Sequence, residues 1–298
     1  MAKASFSDQI AKNKRLSLLL AIVVSLILFF LVYFIIIFLM PELVLIALPI
    51  STLFILIYTY ISYRYGDSVV LSTTKAKLAN AREYQYLRDT VEGLSIASGI
   101  PPPKVYVIES EDLNAFATGR NPKNASIAVT TGLVRSLSRQ ELEGVIGHEI
   151  SHIKNRDILF MTLVAVLVGV AAIVSHLILR SLWFGGNRDR RDRGGIMVIL
   201  LIVGIILAIF APIAVRLVQF AISRKREYLA DASGVSITRY PEGLASALEK
   251  LASQNKGRIN VSEAVSHLFF VDPKKSSLDS LFATHPPIKE RIKRLRAM

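Results

Sequence analysis

The chain has 298 residues and a mass of 33.0 kDa, with 36 Lys and Arg against 23 Asp and Glu, a net charge of +13 at pH 7. A hydrophobic content of 52% and a mean hydropathy of +0.45 exclude a disordered chain and a wholly water-soluble one. The absence of cysteine excludes disulfides, thiolate metal ligands, iron–sulfur clusters and cysteine nucleophiles, so any metal must be held by histidines and carboxylates.

The basic residues flank apolar runs instead of alternating with aromatic ones, which points to membrane borders and away from nucleic acid. Residues 16–40 carry no charge, and a helix of that length exceeds the ~30 Å hydrocarbon core. The stretch is too long for a cleaved signal and lacks a small-residue cleavage site. Pro41 and Glu42 make a minimal turn before a second run, residues 43–61, so residues 1–63 read as a transmembrane hairpin. Lys3, Lys12, Lys14 and Arg15 before it and Arg64, Lys75, Lys77 and Arg82 after it place both flanks on the cytoplasmic side.

Residues 64–157 read as a cytoplasmic unit of a helix, a small sheet and a second helix. Leu78, Ala81, Tyr84, Leu87 and Val91 recur at steps of three or four, predicting one helix over residues 71–98 that ends at Gly99 and the prolines 101–103. Strands are predicted at residues 104–108, 113–118 and 125–130, the last two joined by a turn containing Gly119, Asn121, Pro122 and Asn124. Ser138 followed by Glu141 is a capping box, and it opens a helix through His152.

Two further apolar runs, residues 158–179 and 196–222, are separated by a loop, residues 184–195, with four arginines and two aspartates, and read as a second hydrophobic hairpin. If both runs cross, this basic loop lies outside, against the charge bias; if neither crosses fully, the pair lies shallow or packs on protein. Residues 223–298 read as a soluble helical part, with helices over 223–236, from Pro241 to Leu251, and from Pro286 and Pro287 to Arg296. The fold class is thus a mainly α membrane protein with a small β-sheet: up to four transmembrane helices and an α+β catalytic part.

His148-Glu149-Ile150-Ser151-His152 is an HExxH motif. Residues four apart on a helix project from one face, so both imidazoles can grip one metal ion, while Glu149 reaches a water without being a ligand. A catalytic zinc needs a third protein ligand and an open position. Glu227 and Asp231 share one face of the predicted helix beyond the second hairpin. Glu227 can bind the metal while Asp231 accepts the ring N–H of a ligating histidine. ExxxD alone is a weak signal; its position just outside the other end of the same hairpin strengthens it.

These motifs, with Asn114-Ala115-Phe116-Ala117-Thr118-Gly119, Asn155, Asp157, EYLAD at 227–231 and Thr284-His285-Pro286-Pro287 in this order, resemble the HtpX family of prokaryotic membrane zinc metalloproteases. That family is related to the CAAX prenyl endopeptidases among the gluzincins, and the resemblance covers nearly the whole chain. It implies a zincin-like catalytic part and one Zn²⁺ per subunit, with Glu149 as general base toward a zinc-activated water. It also implies cleavage of misfolded or damaged membrane proteins, or of peptides, by a multi-pass protein of the cell membrane whose active site faces the cytoplasm. By the same resemblance, His285 donates a hydrogen bond to the oxyanion, and Asn114, Ala115, Phe116 and Ala117 form an edge strand on which substrate lies extended.

Blander readings stand beside these. His285 can be a histidine held between a helix start and its prolines, Asn114 a turn residue, Asn155 and Asp157 caps or packing groups at the helix end, and His176 and His267 structural residues. A prenyl-peptide protease needs more spans than this length supplies. Intramembrane cleavage fits poorly with Glu143, Lys154 and Arg156 around the motif. A metal-stabilised scaffold has no use for a carboxylate at Glu149.

Overall fold

The turn expected at Pro41 is a 3-10 turn, Pro41–Leu43, and helix α1 (Val44–Thr73) runs from it for 30 residues. The structure, a computed structural model, describes residues 41–166, 224–255, 263–266, 268–271 and 286–298, with individual residues between 11 and 37. Those individual residues are helical, and the Ser25 hydroxyl lies 2.8 Å from that of Thr59 on α1. Most of the second hydrophobic hairpin, its basic loop, His176, His267 and His285 lie outside the described residues.

Among the described residues α1 is the one helix long and apolar enough to cross a membrane. At 1.5 Å per residue it extends about 45 Å, well beyond the ~30 Å of a hydrocarbon core. The surplus lies at its C-terminal end. Residues 45–57 expose leucines, isoleucines and a phenylalanine, whereas Gly66, Val70 and Leu71 are buried against the rest of the chain. The expected border after residue 63 therefore falls inside a continuous helix.

The single helix expected over residues 71–98 is a correction: the chain breaks it. Lys75 adopts φ 54°, its N–H bonds the Ser72 carbonyl, and the Ala76 N–H bonds that of Leu71, a Schellman cap on α1. Strand β1 (Lys77–Leu78) then pairs antiparallel with β2 (Lys104–Ile108), a 3-10 turn follows at Arg82–Tyr84, and α2 (Gln85–Ser98) begins. The Arg88 guanidinium holds this connection by donating to the carbonyls of Ala79 and Ala81. Gly99, at φ 76°, caps α2 where expected.

The sheet has the order β1-β2-β4-β3, with β3 (Ala115–Asn121) at the edge and antiparallel to β4 (Asn124–Thr130), and β2 and β4 parallel. β3 starts two residues later than predicted because Leu113 is taken by Asn255, whose side-chain amide bonds both its N–H and its carbonyl. The hairpin tip is Pro122-Lys123, and Gly119 sits within the strand at φ 139° beside a register shift.

Alternate residues of the sheet serve two cores. Val105, Val107, Ala117, Ile127 and Val129 pack with α2, α4 (Arg139–Lys154) and α6 (Pro241–Gln254). Ile108, Phe116 and Ala128 pack with Val70 and Leu71 of α1, Met161, Leu268 and Phe269. A short helix α3 (Thr131–Ser136), capped by the Thr130 hydroxyl and not expected from the sequence, turns the chain from β4 into α4.

Ser138 and Glu141 form the expected capping box of α4, and the Lys250 ammonium donates to the Glu141 carboxylate at 2.7 Å. α5 (Arg224–Thr238) crosses α4 at two glycines. A Cβ on Gly147 would lie 2.9 Å from Thr238 Cγ2 and 3.2 Å from the Gly234 carbonyl; one on Gly234 would lie 2.9 Å from the His148 nitrogen. Only this approach brings α5 close enough for Glu227 to stand over the HExxH histidines. A final helix, α7 (Ile288–Leu295), packs its Arg291 and Leu295 inward.

Candidate metal centre

His148, Glu149, Glu227 and Asp231 are at most 3% exposed. His148 and His152 project from the same face of α4 with their Nε2 atoms 3.0 Å apart. Glu227 reaches over from α5, with Oε2 3.7 Å from His148 Nε2 and Oε1 3.6 Å from His152 Nε2. Donor atoms of these three residues all lie within 4.8 Å of one another. A tetrahedral ion with bonds of about 2.05 Å separates its ligand atoms by about 3.3 Å, so the three groups have the spacing of a zinc ligand set.

The other ring nitrogens fix the chemistry of the first. His148 Nδ1–H donates to Asp231 Oδ1 at 2.9 Å, and His152 Nδ1–H donates to Asp157 Oδ2 at 3.0 Å. Each imidazole therefore turns the lone pair of its Nε2 toward the other when neutral, an arrangement that needs a cation or a proton between them. Among the described residues around the site, four buried carboxylates (Glu149, Asp157, Glu227 and Asp231) also stand against one buried guanidinium, Arg291. A divalent cation offsets most of that imbalance. The donor set fits zinc.

Asp157 owes its place to the end of α4. Arg156 takes φ 58°, its N–H bonds the Ile153 carbonyl, and the Asp157 N–H bonds the His152 carbonyl, a second Schellman cap. The backbone of Asp157 thereby closes on the residue whose ring its carboxylate holds. The sequence reading left Asp157 as a cap or packing group; it is also the hydrogen-bond partner of His152.

Arg291 was missed altogether. It is 1% exposed, donates from Nε and Nη2 to the two oxygens of Asp231 at 2.9 and 2.6 Å, and stands 3.9 Å from Glu227. Its guanidinium lies over the Phe270 ring at 4.7 Å, and that ring stands edge-on to His148 at 4.8 Å. Arg291 shares the inward face of α7 with Ile288, Ile292 and Leu295, at i, i+3, i+4 and i+7, but its charge reads as that of a solvated residue.

Burial favours the neutral forms here, and the partners decide where it is overridden. Burial and the neighbouring His152 hold His148 down to about 4 despite Asp231. Burial would also lower His152, but Asp157, Glu227 and Glu149 push it up to about 9. Burial raises Glu149 to about 7, with Glu227 adding to the rise and His152 and the Ala117 N–H opposing it. Asp231 is brought down to about 2 against its burial, chiefly by Arg291 and His148.

Asn114, Ala115, Phe116 and Ala117 stand at the edge strand, beside α4, and all are buried. The edge is not open. Ala115 accepts a hydrogen bond from the Phe270 N–H, and the Ala117 N–H donates to Glu149. Thr162, on a helix that begins at residue 158, takes the Gly119 N–H.

Residues 81–298 match the sequence model of peptidase family M48. Curated relatives, each named Protease HtpX homolog, include one from Thermoanaerobacter pseudethanolicus, 50% identical over 250 residues and covering 83% of each chain. Another, from Dictyoglomus thermophilum, is 42% identical over 298 residues, covering 100% of this chain and 96% of the relative. A third, from Thermococcus sibiricus, is 47% identical over 251 residues, 82% of this chain and 84% of the relative. Among solved structures, the crystal structure of S. mikatae Ste24p superposes with a TM-score of 0.47 at 21% identity, over 82% of this chain and 58% of that one.

Proposed function

Because the chain belongs to peptidase family M48 and is a metallopeptidase, we propose that it is a zinc endopeptidase of the membrane that cleaves misfolded or damaged membrane proteins at its cytoplasmic face. One observation carries the reading: two imidazoles, each with its Nδ1 proton held by an aspartate, turn their Nε2 atoms to each other at 3.0 Å beneath Glu227. In this reading His148, His152 and Glu227 hold the ion, and Asp231 and Asp157 fix the tautomers. Zinc held there supplies Lewis-acid chemistry, polarising a peptide carbonyl and acidifying a water.

Glu149 neighbours the ligands in sequence but is assigned no bond to the ion. A carboxyl brought to about 7 by burial is poised to take a proton from the attacking water and to return it to the leaving amine. His285, from the family resemblance, is assigned the hydrogen bond to the developing oxyanion. The Asn114–Ala117 stretch is assigned the substrate backbone, which explains loose sequence preference, since backbone pairing reads few side chains.

α1 and the charge flanks support the membrane placement. Residues 1–63 supply a transmembrane hairpin, residues 158–222 a second hydrophobic pair, and the parts at 64–157 and 223–298 assemble the site between them on the cytoplasmic side. Replacing Glu149 by Gln tests the chemistry. The variant is expected to keep one zinc per chain and to lose cleavage of a membrane-protein substrate by at least ~100-fold. Cleavage at the wild-type rate by a zinc-loaded Glu149→Gln protein contradicts the assignment.

A further inference from the structure

The residues that close the outer edge of β3 are the chain's own. In an antiparallel ladder alternate residues turn their N–H and C=O to the partner strand and away from it. Thr130 N–H bonds the Asn114 carbonyl, so Asn114, Phe116 and Thr118 face β4, while Ala115, Ala117 and Gly119 turn outward. Against that outward edge lies the segment Leu268–Val271. Phe270 N–H donates to the Ala115 carbonyl at 2.8 Å. The Asn114 side-chain amide brackets Val271, accepting from its N–H at 3.1 Å and donating to its carbonyl at 2.7 Å. These are the bonds by which an added strand is captured: a main-chain carbonyl, and a primary amide in place of a peptide unit.

Side chains complete the occupation. Phe269 packs edge-to-face on Phe116 with centroids 5.0 Å apart, and Phe270 lies against both His148 and the Arg291 guanidinium. Both rings are at most 2% exposed. A polypeptide paired along β3 next to Glu149 needs the Ala115 carbonyl and the Asn114 amide, and neither is available while this segment is seated.

We propose that Phe269–Val271 is an internal stand-in for substrate, seated on the docking edge in the resting protein and displaced when an extended polypeptide binds. The inference rests on the peptidase reading above. The seated form lowers apparent affinity for substrate by the fraction of molecules in which the edge is open. It selects for chains that are already unfolded, because they alone present a free strand to compete.

Hydrogen exchange tests the displacement in the full-length, zinc-loaded Glu149→Gln protein in detergent, with and without reduced, carboxymethylated lactalbumin as the unfolded probe. Binding is followed separately by fluorescence anisotropy. The expected result is that bound probe speeds exchange at residues 268–271 while residues 114–119 stay protected. Unchanged or slower exchange at 268–271 with the probe bound overturns the inference and leaves the peptidase reading standing. A probe that neither binds nor is cut by the wild-type enzyme overturns both. Phe269→Ala gives a second readout: with zinc content unchanged, kcat/KM on the probe is expected to rise about tenfold as the open fraction grows, and a fall contradicts the inference.

Discussion

The surroundings of His152 favour its doubly protonated form when no ion is bound. Burial alone would lower its pKa, but Asp157 under Nδ1 and the carboxylates of Glu227 and Glu149 push it up to about 9. Zinc must take the Nε2 lone pair, so binding near neutrality releases that proton. The sign follows directly: apparent zinc affinity falls as pH falls below 9, by about tenfold per unit for the one proton displaced. Chelator competition at a series of pH values measures the slope, and a pH-independent affinity contradicts it. Arg291 is the other residue whose loss is specific. Arg291→Gln leaves Asp231 buried without its cation, a loss of ~3–5 kcal/mol, read as a lower unfolding midpoint together with weaker zinc retention. Arg291→Lys is expected to recover part of both, and a Gln variant as stable as wild type contradicts the role.

At the scale of elements, the glycine crossing of α4 and α5 assembles the site. Gly234→Ala places a methyl 2.9 Å from the His148 backbone nitrogen, and backbone cannot swing away as a side-chain tip can. The overpacking costs ~1–3 kcal/mol and moves Glu227 off the histidines, so zinc affinity is expected to fall. Gly93→Ala is the control: it meets nothing within 4 Å on α2 and is expected to be neutral or stabilising by ~0.5–1 kcal/mol. Equal zinc titrations for the two variants contradict the account. Local signals made α4 legible: Ser138 and Glu141 cap it, and the HExxH spacing puts both histidines on one face. The break after α1 was not legible, because Leu78, Ala81 and Tyr84 keep a helical spacing by coincidence and the left-handed residue that ends the helix is a lysine, not a glycine. Asp157 and Arg291 escaped for a related reason. A carboxylate just past a helix end and a basic side chain on a charged helix look like solvated residues until tertiary packing buries them.

Across the whole molecule, α1 joins an apolar span to the catalytic part without a hinge, since the helix that exposes Leu45 and Leu56 also buries Val70 and Leu71 beneath the sheet. The site itself is built from parts of the chain far apart in sequence: α4 gives His148, Glu149 and His152, α5 gives Glu227 and Asp231, and α7 gives Arg291 behind Asp231. The central claim is that these meet around one ion through two imidazoles and one carboxylate, with a position left for water. Zinc K-edge X-ray absorption on the full-length protein in detergent tests it most directly. The account predicts a shell of two imidazole nitrogens at about 2.0–2.1 Å plus oxygen donors, with one oxygen lost in Glu227→Ala. A third imidazole among the five histidines of the chain, or a shell unchanged by Glu227→Ala, contradicts it.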